Sequence, residues 1–133
     1  MNYKATILVA DDERSLREIL RFSLEIIGYR VILAENGEEG LAVFSKNPHD
    51  IDIVLSDVNM PVMDGIDMVC LINNIDPSVE IILMTGDIQQ QKVLQCKHGS
   101  FPMTILEKPF SVATIDSVMK DALNRRKYKS STV

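Results

Sequence analysis

Four polar clusters sit at the ends of short apolar runs: Asp11-Asp12-Glu13, Asp57, Thr85-Gly86 and Lys108-Pro109. Singly, each has an ordinary explanation. Asp11 or Asp12 suits the cap of a following helix, Ser15-x-x-Glu18 has capping-box spacing, and Asp57 fits a loop acid. Thr85 and Gly86 fit a turn, and Lys108 the surface. Together they imply more. Three carboxylates drawn within a few ångströms repel by about 4 kcal/mol per pair at 4 Å and an effective dielectric of 20, so they need a counter-ion. An all-oxygen set without His or Cys suits Mg²⁺ better than Zn²⁺. A cation beside Asp57, with Lys108 and the Thr85 hydroxyl reaching in, suits an anion with several oxygens. Phosphoryl is the clearest case: the metal would neutralise one oxygen, Lys108 pair with a second and Thr85 donate to a third, with Asp57 the nucleophile that forms an acyl phosphate. Gly86 keeps the approach to Asp57 clear.

These groups need a frame that delivers all of them to one edge. Short β-branched runs alternate five times with stretches of helical spacing, the pattern of a parallel sheet wrapped by helices. The strand runs are Thr6 to Ala10, Arg30 to Ala34, Ile51 to Ser56, Val79 to Thr85 and Met103 to Glu107. The first, third and fourth are apolar enough to be covered on both faces, and the second and fifth read as edges. In open parallel sheets the reactive groups collect beyond the C-terminal strand ends, where strand order reverses. With order 2-1-3-4-5, Asp11, Asp12 and Asp57 converge.

Leu16, Ile19, Leu20, Leu24 and Ile27 form an apolar stripe that Gly28 ends. Met68 to Ile75 and Ile115 to Ala122 repeat the pattern, the former stopped by Pro77. The segment after Asn36-Gly37, anchored by Leu41 and Phe44, and the glutamine-rich segment Asp87 to Lys97 are expected to be the least firmly held helices.

The chain has 133 residues, 46% of them hydrophobic, which suits one domain with its own core. A net charge of −5 gives no overall attraction to nucleic acid or an anionic membrane. The local basic cluster Arg125, Arg126, Lys127 and Lys129 reads as a solvated helix end, so the domain is expected over 1–124, with 125–133 a polar tail or the start of a linker. Cys70 and Cys96 have no partner at metal-ligand spacing and read as reduced packing residues. No stretch approaches the roughly 20 apolar residues of a membrane span, and the apolar run at the N-terminus meets Asp11 too early for a signal peptide. The expected compartment is the cytoplasm.

The clusters, in their order and separations, resemble the receiver domain of two-component response regulators from about Thr6 to Leu123. Ile7-Leu8-Val9-Ala10-Asp11-Asp12-Glu13 is similar to the family's first strand and acidic pair. Asp57-Val58-Asn59-Met60-Pro61-Val62-Met63-Asp64-Gly65 is similar to its phosphoacceptor loop, and Met84-Thr85-Gly86 and Glu107-Lys108-Pro109-Phe110 to its fourth and fifth strand ends. The resemblance implies an α/β, flavodoxin-like doubly wound five-stranded parallel sheet with helices on both faces. It implies that Asp57 accepts a phosphoryl group from a histidine of a sensor kinase or phosphotransfer protein. Asp12, Asp57 and the backbone carbonyl of Asn59 would bind Mg²⁺ directly, Asp11 mostly through water, while Thr85 and Lys108 grip the phosphoryl oxygens. It implies a cis Lys108-Pro109 bond, and a signalling acceptor rather than an enzyme. Its output would pass through the 87–97 segment, the fifth strand and the last helix to a downstream protein or fused domain. The domain itself would bind neither nucleic acid nor membrane.

Two positions depart from the family pattern. Ile105 stands where an aromatic ring is usual, and 99–102 reads Gly-Ser-Phe-Pro; Pro102 is expected to direct Phe101 away from the vacant ring position. One rival is an aspartate-nucleophile phosphohydrolase, but such enzymes carry Asp-x-Asp on the first strand, whereas Asp57-Val58-Asn59 follows the third and lacks the second acid. A flavodoxin-type binding module is the other, and no Gly-rich phosphate loop is present.

Overall fold

The computed structural model describes residues 2–87 and 101–131. Its elements run β1 (Thr6–Ala10), α1 (Arg14–Ile27), β2 (Arg30–Ala34), α2 (Gly37–Lys46), β3 (Ile53–Asp57), α3 (Gly65–Ile75), β4 (Glu80–Thr85), β5 (Thr104–Glu107) and α4 (Val112–Ser131). All strand pairs are parallel, in the order β2-β1-β3-β4-β5. The parallel sheet expected from the alternating pattern is observed, in the flavodoxin-like arrangement that the family resemblance implies. The segment Asp87 to Lys97 and Cys96 lie largely outside the described residues.

Side-chain alternation along the strands sends each sheet face to its own helix pair. Ile7, Val9, Ile53, Leu55, Ile82, Met84 and Leu106 pack with Leu20 and Leu24 of α1 and with Ile115, Met119 and Ala122 of α4. On the other face Leu8, Ala10, Val54, Ile81 and Leu83 pack with Phe44 of α2 and with Met68, Val69 and Ile72 of α3. Strands covered on both faces must be apolar at every position, which is why β1, β3 and β4 show almost no alternation.

Strand ends differ from expectation where side chains compete with the ladder. β3 begins at Ile53, because Asp52 uses Oδ2 to accept the Thr6 N–H at 2.9 Å. It extends through Asp57, which pairs in register with Met84. β4 begins at Glu80, after a turn closed by Val79 N–H to Asp76 O at 3.2 Å. The Ser15-x-x-Glu18 capping box does not form, because α1 starts two residues earlier than that box requires, with Glu13 as its cap. Gly28 ends that helix as expected, at φ 118°, with its own N–H and that of Tyr29 donated to Leu24 O.

α2 is held by more than its sparse apolar stripe. Asn36 Oδ1 accepts the Glu39 N–H at 2.8 Å, and Gly37 and Gly40 are buried, so the helix packs closely. A Cβ on Gly40 would come within 2.5 Å of Met68 Sδ. At the C-terminus the expected division near Asn124 falls inside α4, which runs on to Ser131. Arg125 and Arg126 are ion-paired to the starts of the strands: Arg125, still exposed, places Nε 2.7 Å from Glu80 Oε1, and the half-buried Arg126 places Nε 2.9 Å from Asp52 Oδ1. Among the described residues no helix is long and apolar enough to cross a membrane.

Candidate functional site

The β1–β3 pairing aligns Ala10 with Ser56, so the residues that follow, Asp11 and Asp57, leave adjacent strands side by side. One carboxylate oxygen each from Asp11, Asp12 and Asp57 lies within 4.8 Å of the others. Asp11 is fully buried, Asp57 half-buried and Asp12 exposed, so the cluster opens to solvent on the Asp12 side. From β5, Lys108 reaches back across β4, with Nζ 3.4 Å from Asp57 Oδ1 and 3.7 Å from Asp11 Oδ2. The Lys108-Pro109 peptide is cis, as the sequence resemblance implied.

One ammonium faces three acids. Burial raises the pKa of Asp11 and of Asp57; Lys108 pulls both down, and the neighbouring carboxylates push both up, but burial is the largest effect in each. Asp11 Oδ1 accepts the Glu13 N–H at 2.8 Å, whereas Asp11 Oδ2 is buried without a hydrogen-bond partner. A buried carboxylate oxygen that makes no hydrogen bond and lies 3.7 Å from the Lys108 ammonium, on an acid grouped with two others, fits a cation ligand, and the donor set, oxygen throughout, fits a hard divalent ion. The residues present are therefore suited to hold a divalent metal.

The structure brings Asp11, Asp12, Asp57 and Lys108 together. Thr85 is buried at the end of β4, one residue beyond the ladder partner of Asp57. Its Oγ1 accepts the Asp87 N–H at 3.1 Å, and its carbonyl accepts the Lys108 N–H at 2.8 Å. Asn59 lies exposed in the loop two residues past Asp57. A Cβ on Gly86 would meet no described atom within 4 Å, so a side chain there would project into open space. Ile105 packs at the edge of the α2–α3 core. Phe101, expected to be turned away by Pro102, is half-buried against that same core, because Phe101, Met103 and Ile105 share one face of the extended chain.

Two further residues support the site; Arg17 has no role in the sequence reading, and Gly65 enters it only as the last residue of a motif. Arg17 is buried, and its Nη1 donates to Asp11 O at 2.7 Å, tying the β1–α1 turn to the helix. The signal was a charge on the face shared with Leu20 and Leu24, at spacings of three and seven. Gly65 is the other: a Cβ there would stand 2.0 Å from Asp57 O and 3.0 Å from Ser56 Oγ, so only glycine lets α3 start against the end of β3.

With helices wrapped on both faces of this sheet and an acid cluster at its C-terminal edge, comparison with known proteins shows the family and the fold. Residues 7–120 match the model of the response regulator receiver domain, and the chain belongs to that family of two-component signal transduction. It is 39% identical over 126 residues to the probable transcriptional regulator ycf27 of Pyropia yezoensis, a match covering 93% of this chain and 49% of that protein. To the transcriptional regulatory protein GlrR of Escherichia coli strain K12 it is 34% identical over 128 residues, covering 94% of this chain and 28% of that one. A response regulator receiver domain protein from Clostridium thermocellum superimposes with a TM-score of 0.84 at 35% identity, covering 93% of this chain and 98% of that one. The chain thus spans about half, or less, of the length of these curated relatives.

Proposed function

We propose that this receiver domain takes a phosphoryl group onto Asp57 from a phosphohistidine of a sensor kinase or phosphotransfer protein, in the cytoplasm and with Mg²⁺ bound. The observation that carries the reading is the placement of Asp57: half-buried, 3.4 Å from Lys108 Nζ and grouped with two further acids. Asp12, Asp57 and the Asn59 carbonyl would hold Mg²⁺ directly, with Asp11 acting mostly through water. The ion supplies positive charge to a phosphoryl oxygen and offsets the repulsion within the cluster.

An Asp57 carboxylate oxygen attacks phosphorus in line with the leaving nitrogen; the new P–O bond forms as the P–N bond breaks, and the electron pair stays on the imidazole, which takes a proton from solvent. Lys108 keeps Asp57 ionised against the effect of burial, and then pairs with an oxygen of the transferred group. Thr85 donates its hydroxyl to another oxygen. For delivery the histidine-bearing partner must cover the rim beside Asp12. α1 starts two residues from Asp12 and exposes Ile19, Phe22 and Ile26 at helical spacing, each more than 60% accessible, which supplies an apolar contact face that continues from that rim. The reading is tested by phosphorylation with acetyl phosphate and Mg²⁺, followed by peptide mapping: it requires the label on Asp57 and its loss in Asp57→Asn.

A further inference from the structure

The loop that follows Asp57 is pinned at two points. At its base Gly65 N–H donates to Val58 O at 2.9 Å, and Val58 N–H donates to Met84 O at 3.1 Å. At its far side Gly37, the first residue of α2, donates its N–H to Met63 O at 3.0 Å. The first N–H groups of a helix have no acceptor within the helix, so α2 has this donor to spare. The approach is close: a Cβ on Gly37 would lie 2.3 Å from Met63 O and 2.9 Å from Met63 C, both backbone atoms with little room to give.

Between the two pins the backbone is strained. Val62 adopts φ 70°, a left-handed conformation that a β-branched residue rarely takes, in a tight turn closed by Met63 N–H to Pro61 O at 2.8 Å. Its side chain is 75% exposed, so packing of Val62 itself does not hold it there. Strain of this kind persists only where the surroundings over-determine the backbone. The Met63 side chain packs against the core shared with α2 and α3, and among the described residues the Gly37 N–H is the backbone hydrogen bond that ties this turn to another element.

We infer that Gly37 is a positioning residue for the metal and phosphoryl site: by holding Met63 O it keeps the strained 61–63 turn in place and so fixes the intervening Asn59 carbonyl. This rests on the proposed Mg²⁺ binding. α2 would then be mechanically joined to the site although it contributes no side chain to it.

The test is Mg²⁺ titration of the whole chain followed by the backbone amide NMR signals of Asp12, Asp57 and Asn59, with thermal unfolding measured in metal-free buffer. Gly37→Ala should weaken Mg²⁺ binding about tenfold, the low end of what losing a supporting contact around a metal costs. Gly40→Ala, on the same helix with its Cβ directed at the flexible Met68 side chain, should lower the melting temperature and leave the Mg²⁺ affinity within about twofold of wild type. If Gly37→Ala does not fold, Asn36→Ala, which frays the α2 start by removing its cap, replaces it and should weaken binding in the same direction. Equal affinities in Gly37→Ala and wild type, or equal losses in the Gly37 and Gly40 variants, would overturn the inference. A wild-type chain that shows no Mg²⁺ response, or an Asp57→Asn chain that matches it, would instead overturn the metal reading beneath it.

Discussion

Arg126 Nε donates to Asp52 Oδ1 at 2.9 Å, and the second oxygen of Asp52 accepts the Thr6 N–H at the same distance. The C-terminal helix is thereby bonded, through one carboxylate, to the starts of β3 and β1. Arg126 Nη1 adds a bond to Ser78 O at 2.8 Å, and Arg125 binds the buried Glu80 at the start of β4. The clamp lies at the sheet edge opposite the acid cluster.

Arg126→Ala should therefore destabilise the fold by about 1–3 kcal/mol, the range for losing hydrogen bonds to partly buried charged groups. Phosphorylation of Asp57 at a temperature where the variant is folded should be unchanged. Urea unfolding and labelling with acetyl phosphate check both.

How legible these features were follows from the range of the interaction. β1 and Asp11 are read together because an apolar strand and the acid that ends it are adjacent in the chain, and a parallel sheet delivers all its C-terminal ends to one edge. Asp57, Thr85 and Lys108 were found by the same logic. Arg126 was read as solvated because its partner Asp52 lies 74 positions away, and nothing local marks it as paired. The packing roles of Gly37, Gly40 and Gly65 are illegible for another reason: what matters at each is the atom that a Cβ would strike, and a sequence carries no trace of that neighbour. Ser15-x-x-Glu18 misled because spacing alone does not set the helix start, which Asp11 fixes by accepting the Glu13 N–H.

Burial raises the pKa of Asp11 and Asp57 above the carboxylate value of 3.8, so the folded chain binds protons more readily than the unfolded one. Stability without metal should consequently fall as pH rises from about 4 through the raised values. Asp57→Asn removes one of the repelling charges and should be more stable than wild type at neutral pH by about 1–3 kcal/mol, the span between aqueous and protein-like screening at this separation. The difference should shrink towards pH 4. Urea unfolding of both proteins at several pH values, in the presence of a chelator, measures it.

Lys108 Nζ lies 3.4 Å from Asp57 Oδ1 and 3.7 Å from Asp11 Oδ2, an ion pair with each raised acid. Lys108→Met should push the Asp57 pKa further up, moving the acid limb of the phosphorylation rate to higher pH and slowing transfer at neutral pH by at least about tenfold, since loss of one electrostatic stabiliser costs 10²–10³ in well-studied sites. A pH–rate profile for the two proteins checks the shift.

In the proposed reading the apolar face of α1 would bear on the partner and not on the chemistry. Phe22→Asp, at a position 68% exposed, should slow transfer from a phosphorylated histidine-containing protein by about tenfold or more, as truncating an interface anchor does. Labelling by acetyl phosphate should proceed at the wild-type rate. Parallel time courses with the two donors separate docking from reactivity.

The most direct test of the account is the site of modification itself. Wild-type chain, Asp57→Asn and Asp57→Glu are incubated with acetyl phosphate and Mg²⁺, and the acid-stable and acid-labile phosphoryl content of each is mapped by mass spectrometry. The account predicts one acyl phosphate on Asp57 in the wild type, none in Asp57→Asn, and none in the wild type once the metal is chelated. A phosphoryl group retained by Asp57→Asn in wild-type amount, or carried on a residue outside the cluster, would contradict it.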